Sequence, residues 1–281
     1  MIVAISDTHL GTDDLGDAYN RREDVKAFVR YLRDELQPDH LVLNGDIEDF
    51  WRRDMRTLTR ENYDVFYRLR ELQEAGTAVH YVLGNHDWYA RNDVLEGQRS
   101  YYADNYSVAL SLQEAGKTYT FMHGHQFDPL QDPWYFDKLA LISDDVYGAR
   151  FSHLWELFSR TEDLADAFAT AKHIVLDRLI RGKFRDRIAR MDRCQSGCQA
   201  EEELHAARRY AQEQLETDVL CLGHTHVPGI TEDGRAANSG AWVAGMNTYL
   251  QITDEVRLLE WNDGDPIAHE DRIEGTDHRG E

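Results

Sequence analysis

Short apolar runs that stop at Gly, Asn or Asp alternate along the chain with longer stretches whose apolar residues recur every three or four positions. Ile2–Ser6, His40–Asn44, Ala78–Leu83 and Asp218–Leu222 read as buried strands. Between the first two, Val25, Phe28, Val29, Leu32 and Leu36 fall at helical spacing until Pro38 stops them. Tyr63, Phe66, Leu69 and Leu72 repeat the pattern, with Gly76 as the C-cap. This strand–helix–strand–helix–strand order predicts a parallel sheet with crossover helices. Ser107–Leu112 and Thr118–Met122 read as shorter strands joined near Gly116, and Thr248–Thr253 with Val256–Trp261 as an antiparallel pair. Residues 265–281 are polar and read as a frayed end.

From about 132 to 216 the pattern turns helical. Phe151, Leu154, Trp155 and Phe158 form one apolar stripe; Leu164, Phe168, Ala171, Val175 and Leu179 form another. The expectation is an α/β fold, one domain over residues 1–281, carrying a helical insertion at 132–216 that packs on itself.

Charge adds a second layer. The chain has 281 residues and a formal net charge of −21, and its 31 basic residues include only five Lys. So many acids with so few Lys suit a high-salt cytoplasm, where screening shortens self-repulsion, and point to a halophilic source. They argue against strong nucleic-acid binding, which needs a positive face. Residues 172–193 run the other way: Lys172, Arg178, Arg181, Lys183, Arg185, Arg187, Arg190 and Arg193 face Asp177, Asp186 and Asp192, a local +5. This strip reads either as a solvated face paired with nearby acids or as a clamp for an anionic substrate or a membrane head group, with Arg181, Arg185 and Arg187 as candidate contacts. No apolar run reaches the length of a membrane span, and Met1–Asp7 enters a strand at once, so a soluble cytoplasmic protein is expected. Cys194 and Cys198, with Cys221 as an odd third, lack the partners of a zinc site.

Chemistry concentrates where strands stop. The strand ends carry Asp7 and His9, then Asp46 with Glu48 and Asp49, then Asn85 and His86, then His123 and His125, then His224 and His226. A carboxylate after a buried strand can be a helix cap, and an isolated His is usually a turn residue. Asp7, His9, Asp46, Asn85, His123, His224 and His226 together are hard to assemble that way. Oxygen ligands mixed with imidazoles suit Mn²⁺, Fe²⁺ or Zn²⁺ better than Ca²⁺. A carboxylate shared between two such ions would hold them ~3.5–4 Å apart, the spacing used for in-line displacement at phosphorus.

Asp7-x-His9, Gly45-Asp46-x-x-Asp49, Gly84-Asn85-His86-Asp87, His123-Gly124 and Gly223-His224-x-His226 resemble, in order, the five blocks of the calcineurin-like metallophosphoesterase superfamily. The resemblance implies a four-layer α/β/β/α sandwich with two divalent ions, Mn²⁺ foremost. Carried over position by position, one ion takes Asp7, His9, Asp46 and His226. The other takes Asp46, Asn85, His123 and His224. His86 would stabilise the transition state or protonate the leaving oxygen, steered by Asp49. Asp87 would cap the following helix, and His125 has no slot in the pattern.

Asp49-Phe50-Trp51 and the helical insertion are similar to the UDP-2,3-diacylglucosamine pyrophosphatase family. That likeness implies a lid over a nucleotide- or lipid-linked phosphate, with Trp51, His125 and the basic strip as substrate contacts and peripheral membrane contact through the insertion. His86 departs from that family, which typically has Arg there. Asp7-Thr8-His9-Leu10-Gly11 also resembles the opening of double-strand-break repair nucleases, so a nuclease is the main rival. A scaffold that has lost catalysis is the third reading, and the filled ligand positions weigh against it.

Overall fold

Two β-sheets face one another, and their inner faces account for why the strand sequences are apolar on both sides. The computed structural model describes residues 1–11, 21–50, 55–88, 90, 102–127, 198–262 and 264–269. The first sheet is built from β1 (Ile2–Ile5), β2 (His40–Asn44), β3 (Ala78–Val82), β4 (Asn105–Ser107), β10 (Thr248–Ile252), β11 (Val256–Asn262) and β12 (Asp265–Ala268). Its order is β12-β11-β10-β1-β2-β3-β4. β1 to β4 run parallel, as the crossover pattern predicts, and β10 closes antiparallel on β1 with Ile2 opposite Ile252. The second sheet has the order β5-β6-β7-β9-β8, from β5 (Leu110–Glu114), β6 (Lys117–Phe121), β7 (Val219–Leu222), β8 (Gly229–Ile230) and β9 (Ala236–Asn238).

Three apolar cores define the layers. Successive strand residues point to opposite faces, so Val3, Ile5, Leu41 and Leu43 pack outward on α1 (Arg22–Tyr31) and α3 (Tyr63–Glu74), meeting Phe28, Val29, Phe66 and Leu69. Ile2, Ala4, Val42 and Val82 point inward, against Tyr119, Phe121, Val219 and Cys221 of the second sheet. On the far side, Leu204, Ala207 and Ala211 of α4 (Cys198–Gln214) cover Leu220, Leu222 and Ala236. The result is the expected four-layer α/β/β/α sandwich. The helix at the end of the predicted insertion is thus an outer layer of the sandwich. Residues 132–197 of that insertion, with Arg181, Arg185, Arg187 and Cys194, lie outside the described residues, as does Trp51.

Several local expectations change. Ser107–Leu112 is not one strand: β4 ends at Ser107 on the edge of the first sheet, and β5 begins at Leu110 in the second. The two residues between carry the chain across. Residues 265–268, read as frayed, pair with β11 as an edge strand. Leu32–Leu36 continues α1 as a π-helical turn, closed by Gln37 in the left-handed conformation. Tyr63, counted in the apolar stripe of α3, is 60% exposed, while Val65 takes a core position beside Phe66.

At the N-terminal end of β2 and the middle of β3, His40 Nδ1 and His80 Nε2 lie 3.1 Å apart. Burial first, and then the charge of His40, hold the pKa of His80 below its ordinary 6.5, and Asp104 opposes them. The unfolded chain therefore takes up a proton at His80 before the folded one does. Stability from this group is complete above pH 6.5 and declines as pH falls below it. Melting temperatures between pH 8 and 5 should show a shallower acid decline in His80→Phe than in the parent; identical slopes would remove His80 as a contributor.

Candidate metal centre

Five strands end at the same edge of the sandwich, and the turns that follow bind one another through backbone hydrogen bonds. The Asp7 and His9 N–H groups donate to Gly45 O and Asp46 O, both at 3.0 Å, and Leu10 N–H to Ile47 O at 2.8 Å. Asp49 N–H returns to Leu10 O at 2.8 Å, and Gly223 N–H reaches His123 O at 2.8 Å. These bonds hold unusual backbone. Asp7, His9, Asp46, His224 and His226 all have positive φ, between 42° and 70°. Non-Gly residues adopt such values rarely, and such strain persists where surrounding structure over-determines it, often at functional sites.

The side chains converge accordingly. Asp7, His9, Asp46, Asn85 and His123 are buried. Ligand atoms of Asp7, His9 and His226 lie within 4.8 Å of one another, and so do those of Asp46, His123 and His224. A third grouping of this kind, His9, Asp46 and His86, lies across them and brings His86 closer to the ligand set than its implied acid role requires. His226 Nε2 is 3.2 Å from Asp7 Oδ1 and 3.2 Å from His9 Nε2. His123 Nε2 is 3.2 Å from Asp46 Oδ2. Its Nδ1–H donates to Asn44 O at 2.9 Å, which fixes the tautomer and turns Nε2 toward the carboxylates.

Asp7 Oδ1, Asn85 Oδ1 and His123 Nε2 are buried without an aligned hydrogen bond. Buried polar atoms are costly in that state, and donor groups crowded yet unbonded are what a divalent cation would satisfy. The donor set, carboxylate, amide and imidazole, fits Mn²⁺, Fe²⁺ or Zn²⁺. Electrostatics agree. Burial would raise the pKa of Asp46, but His123, His86 and His9 outweigh it and hold it well below the ordinary range. Burial likewise opposes charge on His123, yet Asp46 and Asp7 push its pKa to about 10. The site strongly favours positive charge between these carboxylates.

Space is as tightly set as charge. A Cβ on Gly84 would lie 2.2 Å from Asp46 Oδ1 and 2.5 Å from Asp46 N. A Cβ on Gly45, whose φ is +88°, would meet His123 Nδ1 at 2.3 Å. Gly84→Ala should displace Asp46 and cost roughly 1–3 kcal/mol, the usual range for overpacking. The check is bound metal and melting temperature together; an unchanged metal content would show that the Asp46 loop can give way.

The implied steering contact is present. His86 Nδ1–H donates to Asp49 Oδ1 at 3.0 Å. Asp49 also faces His9, with Oδ2 3.5 Å from His9 Nδ1, which sequence reasoning missed. The Asp87 carboxylate accepts from Gly84 N–H, Ile47 N–H and Tyr81 O–H, pinning the β3 turn to the β2 turn, while the helix it is expected to cap lies largely outside the described residues. Burial, then the charge of Asp46, raise the Asp87 pKa to about 7. Asn238, the last residue of β9, donates from Nδ2 to Gly223 O at 2.7 Å and supports the His224–His226 loop from behind. Neither role had a signal in sequence, since both depend on which turns meet. His125 is buried, its ring 5.6 Å from that of His123 and 5.8 Å from that of Trp88. Burial, His123 and His224 lower its pKa to about 3, so it is a neutral neighbour of the cluster.

The chain belongs to the calcineurin-like phosphoesterase family, whose model matches residues 1–228. Among individual proteins, it is 24% identical over 121 residues to a UDP-2,3-diacylglucosamine hydrolase from Porphyromonas gingivalis. That match spans 43% of this chain and 44% of the relative's length. Among solved structures, it is similar to a Vps29 variant from Entamoeba histolytica, at 14% identity and a TM-score of 0.44, covering 95% of this chain and 96% of the other. It is also similar to a dimetal phosphatase from Danio rerio, at 14% identity and a TM-score of 0.41, covering 92% and 94%. Among the described residues, no helix is long and apolar enough to cross a membrane.

Proposed function

We propose that the cluster holds two divalent ions, Mn²⁺ foremost, and that the protein hydrolyses phosphodiester or pyrophosphate bonds in a nucleotide- or lipid-linked phosphate. The observation that carries the reading is the convergence of ligand groups Asp7–His9–His226 and Asp46–His123–His224, with Asn85 Oδ1 beside them lacking a hydrogen bond. Asp7, His9, Asp46 and His226 would hold one ion, and Asp46, Asn85, His123 and His224 the other, with Asp46 shared. Bound there, the ions would polarise the phosphoryl group and lower the pKa of a water nucleophile.

The chain's own residues do the rest. Asp49 fixes the His86 ring through Nδ1, so that Nε2 would face a leaving oxygen and hold its proton. Burial disfavours charge on His86, but Asp49 and Asp46 outweigh it and raise its pKa, as suits a proton donor. Asp87 and Asn238 keep the ligand loops in register. Trp51, His125 and the basic strip at Arg181, Arg185 and Arg187 would contact substrate, and the strip could rest on a membrane surface. The partial likeness to a UDP-2,3-diacylglucosamine hydrolase supports the substrate class.

The test is a screen with Mn²⁺ across phosphomonoesters, phosphodiesters, nucleoside-diphosphate-linked substrates and linear DNA, at high and low salt. Nucleotide-linked substrates should be cleaved fastest. Faster metal-dependent cleavage of linear DNA would favour the nuclease reading instead. Reversing charge at Arg181, Arg185 and Arg187 should raise KM for anionic lipid or nucleotide substrates and leave small chromogenic esters unaffected. An equal response of both substrate types would make the strip structural.

A further inference from the structure

A cavity of about 760 Å³ lies beside α2 (Met55–Glu61) and the start of α3, lined among the described residues by Arg56, Thr59, Arg60 and Tyr63. None of the metal-cluster side chains lines it. Its volume is within the range of small-molecule sites, although it is an open depression and not an enclosed pocket. Two of its four lining residues among those described, Arg56 and Arg60, are cationic, in a protein of net charge −21. Arg56 and Arg60 are four residues apart and share a helix face. Arg56 makes no ion pair among the described residues, and Arg60 has only Glu61, at a loose 3.9 Å.

Tyr63 lines the depression with the two arginines, and Tyr67 stands next to it; the core uses neither ring. Tyr63 is 60% and Tyr67 51% exposed, and their rings lie 6.3 Å apart at an interplanar angle of 30°. The platform beneath them is anchored. Leu58 is fully buried, Asn62 is buried and donates to Leu58 O at 3.1 Å, and Arg22 donates to Glu61 O at 2.7 Å. Arg56, Arg60, Tyr63 and Tyr67 are exposed on this anchored turn, beside a depression that is wide open to solvent.

We infer that this cavity is an accessory site for a nucleoside diphosphate, separate from the metal cluster. Arg56 and Arg60 pair with the phosphates, whose geometry matches the guanidinium fork. The base stacks on Tyr63, with Tyr67 extending the aromatic surface. Such a combination of cationic and π contacts grips a base of any sequence. The assignment requires no hydrolysis.

Titration calorimetry of the Mn²⁺-loaded full chain with α,β-methylene-ADP, which resists hydrolysis, tests it. Arg56→Ala with Arg60→Ala should weaken binding by roughly 10-fold or more, the scale of a lost charge-assisted hydrogen bond. Tyr63→Ser with Tyr67→Ser should weaken it by a similar factor, through lost stacking. Adenosine, which lacks the phosphates and does not chelate the metal, should bind the parent more weakly than the nucleotide. All four positions are at the surface, and circular dichroism checks that each variant is folded. Unchanged affinity in both variant pairs would overturn the site, as would equal affinity for adenosine. A Tyr pair that alters sedimentation but not affinity would overturn it too, and would make the patch a self-association surface. Hydrolysis of bis-p-nitrophenyl phosphate by the parent is recorded alongside. Its absence would count against the hydrolase reading and leave the binding result standing.

Discussion

Asp46→Asn is expected to reduce turnover by more than about 10³-fold and to lower the bound metal from two ions to one or none. The factor exceeds the roughly 10²–10³ typical of one lost transition-state donor because, on the function proposed above, Asp46 would serve both ions. The substitution keeps side-chain volume at a site that is 2% exposed, so packing is preserved and charge is removed. Both carboxylate oxygens are engaged: Oδ1 accepts His86 N–H at 2.8 Å and Oδ2 lies 3.2 Å from His123 Nε2. An amide nitrogen must replace one of these oxygens: in place of Oδ1 it turns its hydrogens toward the His86 backbone N–H, and in place of Oδ2 it removes the anionic oxygen beside His123. Elemental analysis alongside steady-state rates decides the matter. Full activity with two ions bound would refute the bridge.

The reason Asp46 could be singled out from sequence lies in the strands. Leu41–Leu43 is an apolar run that stops abruptly at Asn44-Gly45, and a buried strand leaves whatever follows it at the sheet edge. The same logic placed Asp7, Asn85, His123 and His224 at the ends of β1, β3, β6 and β7. What stayed hidden depends on tertiary partners. β8 and β9 are two and three residues long, too short for an alternation to register. The crossing from β4 to β5 has no composition of its own, because Val108 and Ala109 would suit a strand. The left-handed backbone of Asp7, His9 and Asp46 exists only because the β1 and β2 turns hydrogen-bond to each other. Glu48, flanked in sequence by two candidate site carboxylates, is fully buried and accepts from Tyr102 O–H, a residue far along the chain. Local sequence names the chemical groups, and the meeting of turns assigns their work.

His86→Ala should keep both ions and lower kcat by roughly 10²–10³, the scale of one positioned donor. Metal retention is expected because the two ligand groups on either side remain complete without it. Retained turnover would move the leaving-group role elsewhere, and lost metal would make His86 a ligand, as its place in the His9–Asp46–His86 grouping allows. Asp49 separates these outcomes. Its Oδ1 holds His86 at 3.0 Å and its Oδ2 faces His9 at 3.5 Å. If Asp49 acts through His86, Asp49→Asn should lower kcat by about 10- to 100-fold, as loss of an orienting partner does. The double variant should then be no slower than His86→Ala alone, since an unoriented ring and an absent ring lose the same interaction. If Asp49 acts through His9, the two losses multiply and bound metal falls with them. The tighter contact, 3.0 Å against 3.5 Å, favours the His86 route, so the cycle should come out strongly non-additive with metal content unchanged.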